Sequence, residues 1–211
     1  MTGRGLWKML ATMAAFGLAL PLMGCSDNGH LGNTLNFSGQ VYTLIVEFDE
    51  METITFTPFT RSQPITSNLT GVTGAITNGR LSFQAGRPSN LGPLDDIWMF
   101  DGATINPSSA RGIELEMRRG NTGMNRGNGS GNRMSNTWNM VIYVFVDREV
   151  TISRGAETNV WGDRSETTNA FNITLREGWN AVHVNDVLTE TSVTATISLG
   201  NPDNLRWVEF D

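Results

Sequence analysis

The sequence predicts an all-β body, an antiparallel β-sandwich built of two related β modules. Three observations carry this. Short runs alternate apolar and polar residues with period two, Thr, Val and Ile are frequent in them, and no stretch beyond residue 36 shows a helical stripe. The strands follow in chain order. Residues 40–48 (QVYTLIVEF) are apolar and β-branched, and 52–56 (ETITF) alternates. So do 80–84 (RLSFQ), 112–118 (GIELEMR) and 170–176 (AFNITLR). Residues 139–146 (NMVIYVFV) are continuously apolar, which predicts a strand buried on both faces. Residues 191–199 and 205–210 supply the last strands. Asn78-Gly79, Asp101-Gly102 and Glu177-Gly178 mark turns between them.

Two pieces of wording recur in the same order. LIVEFD (44–49) precedes TIT (53–55), and IYVFVD (142–147) precedes TIS (151–153). The pattern G-x-P-x-N-L occurs at 86–91 and again at 200–205. This predicts modules at 36–105 and 106–211. Between strands, 120–137 (GNTGMNRGNGSGNRMSNT) is too poor in apolar residues to bury a face, which predicts a disordered, exposed loop.

The first residues read as a targeting segment. Arg4 and Lys8 are the only charges before Asp27, and an apolar run follows them through Met23. A positive start and a short apolar stretch make a secretory signal. The run of about 15 residues is shorter than the roughly 20 needed to span a bilayer. Leu22-Met23-Gly24-Cys25 resembles the lipobox of bacterial lipoproteins, with Met23 in place of the usual small or β-branched residue. That resemblance implies cleavage before Cys25, a signal peptide over 1–24 and lipid on the Cys25 sulfur. The membrane would then be a partner through this anchor. Ser26, where an acidic residue would resemble an inner-membrane retention signal, directs the expectation to the outer membrane or cell surface. Cys25 is the single cysteine, so no disulfide can form within the chain, and lipidation accounts for the odd thiol. Residues 25–35 read as a flexible tether, with His30 a solvent-exposed spacer. In the second module, VDREVTIS, LREGWNAVHV and SLGNPDNLRWV resemble repeated β-domains of uncharacterised bacterial lipoproteins. That likeness brings no activity with it.

Composition narrows the function. Without residues 1–25 the basic residues fall from 15 to 13, against 21 acidic, leaving a charge of −8. That balance disfavours a nucleic-acid partner. Beyond Lys8 every basic residue is arginine, which removes Schiff-base lysine chemistry. A lipidated Cys25 removes thiol chemistry and a His–Cys zinc cluster. No calcium-loop spacing surrounds Asp95 and Asp96, so no metal and no cofactor are expected. Asp49 and Asp147, at matching places in the repeat, read as groups that satisfy turn backbone. His183 lies in a strand-like run and no G-x-S-x-G elbow is present. A non-catalytic interaction or structural role at the envelope is the expectation.

Ligand candidates are aromatic and basic. Trp161 sits in a polar stretch and Trp179 follows a turn, so each is a candidate to stack on a sugar face, whereas Trp207 reads as core. Arg118, Arg119, Arg126 and Arg133 cluster on and beside the glycine-rich segment, where arginine forks suit phosphate or carboxylate. A glycan, or an envelope or surface protein, is the implied partner. A carbohydrate-binding lipoprotein is the alternative to a purely structural one, and a glycan-active enzyme using two carboxylates is third.

Overall fold

A computed structural model places residues 29–47, 53–119, 122–132, 135–202 and 205–210. The lipobox, Cys25, Asp49 and Arg133 lie outside these described residues. The described chain is all β, with two single 3-10 turns, Leu94–Asp96 and Trp98–Phe100. Most strand pairs are antiparallel.

The first unit is a ring. Its strands are β2 (Leu35–Glu47), β4 (Gln63–Ser67), β5 (Thr73–Thr77), β6 (Arg80–Ala85), and, from later in the chain, β10 (Met117–Arg119), β11 (Thr122–Asn132) and β19 (Arg206–Phe210); β3 (Thr53–Pro58) flanks β2, and β1 (His30–Gly32) lies off the circuit. Pairing runs β10-β4-β5-β6-β2-β19-β11, and β11 pairs back to β10. The sheet therefore closes on itself, which removes exposed edges around most of the circuit. The β2–β19 pair is parallel. Inside lie Leu35, Val41, Ile65, Ile76, Leu81, Phe83, Met117, Met124 and Trp207.

The second unit is a sandwich. β12 (Ser135–Val146), β17 (Gly178–Thr189) and β18 (Ser192–Leu199) form one layer. A three-stranded sheet of β16 (Phe171–Leu175), β13 (Val150–Arg154) and β8 (Thr104–Asn106) forms the other. The 3-10 turns add Leu94, Met99 and Phe100 to the core between them. β7 (Gly92–Pro93) and β9 (Arg111–Glu114) continue the large sheet beside β12. β14 (Glu157–Trp161) and β15 (Arg164–Thr168) extend it past β18, with β15 parallel to β18.

β12 joins the two units, as its uninterrupted apolar run predicts. Val141, Tyr143 and Phe145 belong to the ring core, and Ile142, Val144 and Val146 to the sandwich core. β17 does the same, with Trp179 and Ala181 on one side and Val182 and Val184 on the other. The boundary expected at 105/106 falls inside β8, and both cores draw residues from both sides of it. The repeated wording enters different pairings: β2 forms a hairpin with β3, whereas β12 and β13 lie in different sheets.

Two expectations are corrected. The predicted disordered loop at 120–137 is largely strand: Arg126–Asn132 of β11 pair residue for residue with Ser135–Val141 of β12. Residues 123–127 also pair with β19. Backbone hydrogen bonding on both edges orders this segment, so it needs little apolar burial of its own. The tether is also shorter than predicted. The carbonyl of Gly29 accepts from the Ala181 N–H at 2.7 Å, and β1 pairs with the start of β17. Gly29 has φ +90°, and a Cβ there would lie 2.5 Å from the Ala181 oxygen, so the close approach needs glycine. His30 is half-buried, and its Nδ1 is enclosed without a hydrogen-bond partner.

Phe145 is fully buried and meets Trp179 edge-to-face at 5.4 Å between ring centres. We expect Phe145→Ala to cost about 3–5 kcal/mol. Because β12 serves both cores, urea unfolding should remain one transition by both fluorescence and far-UV circular dichroism. Two separated transitions would show that the units unfold independently.

Candidate functional site

Trp161 stands at the tip of the β14–β15 hairpin, where Gly162 turns the chain with φ +64°. Its side chain is 60 % exposed and that of Val160 67 %. Every residue of β14 is exposed, because no layer covers this extension of the sheet. Trp161 lies directly across from Arg164. Beside them is a shallow cleft of about 270 Å³, lined by Arg164, Leu188, Glu190, Thr191 and Val193 among others. Among the described residues no carboxylate forms an ion pair with Arg164. Trp161 is not itself in the wall of this cleft, but its exposed ring neighbours the Arg164 guanidinium, and a flat ring next to a guanidinium and hydroxyls suits a polar ring such as a sugar. The neighbouring strands are held by the Thr158–Thr167 hydroxyl contact at 2.9 Å.

Trp179 is corrected as a ligand candidate. It is 0 % exposed, and its indole N–H donates to the Gly86 carbonyl at 3.1 Å. Its position directly after Gly178 permits either face, and β17 turns it into the ring core. Trp207 is buried, as expected, on Phe37 at 4.6 Å.

Of the arginine candidates, Arg118, Arg119 and Arg126 fall on the paired strands β10 and β11. Arg118 is exposed on β10 and sits 3.6 Å from Glu116, itself exposed. Arg119 ends β10 and Arg126 lies in β11, fixed by backbone pairing. Asp147 satisfies backbone of the neighbouring strand β9 rather than of its own turn, its Oδ1 accepting from the Arg111 N–H at 2.9 Å. Arg148 beside it holds its carboxyl below the usual range. His183 faces Asn139 at 3.2 Å, and partial burial lowers its pKa.

Two features escape the sequence. Trp98, in a 3-10 turn, is 56 % exposed, and its indole lies near the Glu114 carboxyl and favours its charged form. Burial, reinforced by nearby Glu116, pushes the Glu114 carboxyl up to about 7. The second feature is a larger cleft, about 590 Å³, beside β2. Its walls include Leu31, Asn36, Ser38, Asn201, Arg206 and Trp207. Gly39 lets Trp207 lie against β2, since a Cβ there would meet the indole at 3.1 Å. A glycine inside an alternating strand is the one sequence signal of such a close approach.

The chain matches no protein-family model, no curated protein and no solved structure.

Glu114 sets a pH dependence. The folded chain keeps its proton up to about pH 7, whereas the unfolded chain releases it near 4.5. The stability it contributes is full below about 4.5 and is lost as pH rises through about 7. Glu114→Gln should therefore raise the melting temperature at pH 8 and leave it nearly unchanged at pH 4. Equal shifts at both values would rule out this origin. Separately, Trp161→Ala should change stability by less than about 0.5 kcal/mol, whereas Trp179→Ala should cost about 3–5 kcal/mol in the same denaturation assay.

Proposed function

We propose that this chain is the precursor of a bacterial lipoprotein, cleaved before Cys25, whose β body serves a non-catalytic interaction or structural role at the outer membrane or cell surface. The observation that carries the reading is the positive start, short apolar run and Leu22-Met23-Gly24-Cys25 sequence. The fold supports it in that Gly29, four residues after the proposed anchor, is already bonded to β17, so the lipid would hold a body on a short connection. In fractionated cells, wild type should partition with membranes and Cys25→Ala should be released. Full retention of Cys25→Ala would end the lipoprotein reading. Protease treatment of intact cells then separates a surface from a periplasmic orientation.

Carbohydrate binding is the second reading, favoured by one observation: the exposed Trp161 ring beside the Arg164 cleft. Purified surface polysaccharide should bind saturably to the wild-type body, with affinity at least about tenfold weaker for Trp161→Ala, or roughly 1.4 kcal/mol. Equal binding by both proteins would remove Trp161 from the site.

A further inference from the structure

The 590 Å³ cleft lies where the wall of the ring is incomplete. β6 pairs with β2 along Leu35–Gln40, and β19 pairs with the opposite edge only from Val41 to Thr43. Val41 donates its N–H to Gly79 at 2.8 Å, on the β6 side. In an antiparallel pair, hydrogen-bonding direction alternates. Phe37 and Gly39 therefore bond toward β6, and the N–H and C=O of Asn36 and Ser38 point the other way, into the cleft. No described strand pairs with them there.

The rest of the cleft is selective. Phe37 and Trp207 are packed against each other along it. Arg206 is the one charged side chain among the described lining residues. Its guanidinium is stacked over Tyr42 at 5.0 Å and Phe56 at 5.1 Å, which positions the fork without a described carboxylate partner. A strand added along Asn36 and Ser38 would run on the line that β19 occupies from Val41 onward. It must stop where β19 begins, and Arg206 stands at that point.

We propose that this cleft binds the C-terminal end of an extended peptide, which adds a short parallel strand beside β2 at Asn36 and Ser38 and places its terminal carboxylate on Arg206. The added backbone completes the hydrogen bonds that the ring leaves open, the recognition mode of strand addition. The stretch from Asn36 to Gln40 spans about 13 Å, room for roughly four residues. Parallel direction follows from the cation, because an amino terminus at Arg206 would be repelled. This site is separate from the Trp161 cleft and does not depend on lipidation or on glycan binding.

The test uses the whole chain from residue 26 onward and an N-terminally fluorescein-labelled Thr-Val-Thr-Val peptide with a free carboxylate, chosen for strand propensity. Fluorescence anisotropy should saturate, and the amides of Asn36 and Ser38 should exchange more slowly with the peptide present. The C-terminal amide of the same peptide should bind about tenfold more weakly, as expected for loss of one charge-assisted contact. Arg206→Gln should bind acid and amide alike. A peptide N-methylated at alternate positions that face β2 should not bind. No saturation, equal binding of acid and amide to wild type, or full binding of the N-methylated peptide would each overturn the proposal. The acid–amide comparison needs no variant, so it decides the question even if Arg206→Gln fails to fold.

Discussion

The fold depends on β12 being apolar on both faces. A strand with one wet face could complete either the ring or the sandwich, but not both. Here Phe145 and Val144, adjacent in sequence, are each fully buried in different cores. β17 lies along the whole length of β12, from Ser135 opposite Thr189 to Val146 opposite Gly178, and repeats the same division. These two strands form a septum, and the other elements attach to it from either side. Large apolar area leaves water at this one place, which is where a chain with no internal disulfide must find most of its stability.

Closure of the ring carries a structural cost. β19 arrives from the far end of the chain and pairs in parallel with β2 over three residues, Trp207 to Glu209. The described part of β2 ahead of Val41 is thus left with one unpaired edge, beside a residue as large as Trp207. The cleft arises from the way this circuit is closed, and its polar backbone and aromatic wall are products of the same junction.

Much of the fold was legible because it rests on local patterns. Alternation at 80–84 became β6, with Leu81 and Phe83 inward, and the unbroken run at 139–146 became the strand shared by both cores. What depends on partners was not legible. Residues 122–132 have almost no apolar content, and pairing with β10, β12 and β19 makes them a strand. Gly29 and His30 look like linker until Ala181 takes up the backbone. Of the candidate ligand residues, Trp161 is exposed because its polar neighbourhood reports an uncovered hairpin. Trp179 lies in an equally ambiguous stretch, and the direction of β17 alone decides that it is buried. The open edge at Asn36 and Ser38 has no sequence signature beyond Gly39, because an unpaired edge is defined by a strand that lies elsewhere.

β17 also gives the molecule a polarity. β1 is fastened to its beginning, at Asn180, and the Trp161 hairpin is attached through β18 near its end, beyond Leu188. Eight residues of extended chain separate those points, about 27 Å. A chain lipidated at Cys25 would have a leash of at most about 14 Å between lipid and Gly29, too short to let the body roam. On the proposed lipoprotein reading such a body would stay close over its footing, with its exposed indole at the opposite end of β17 from the fastening.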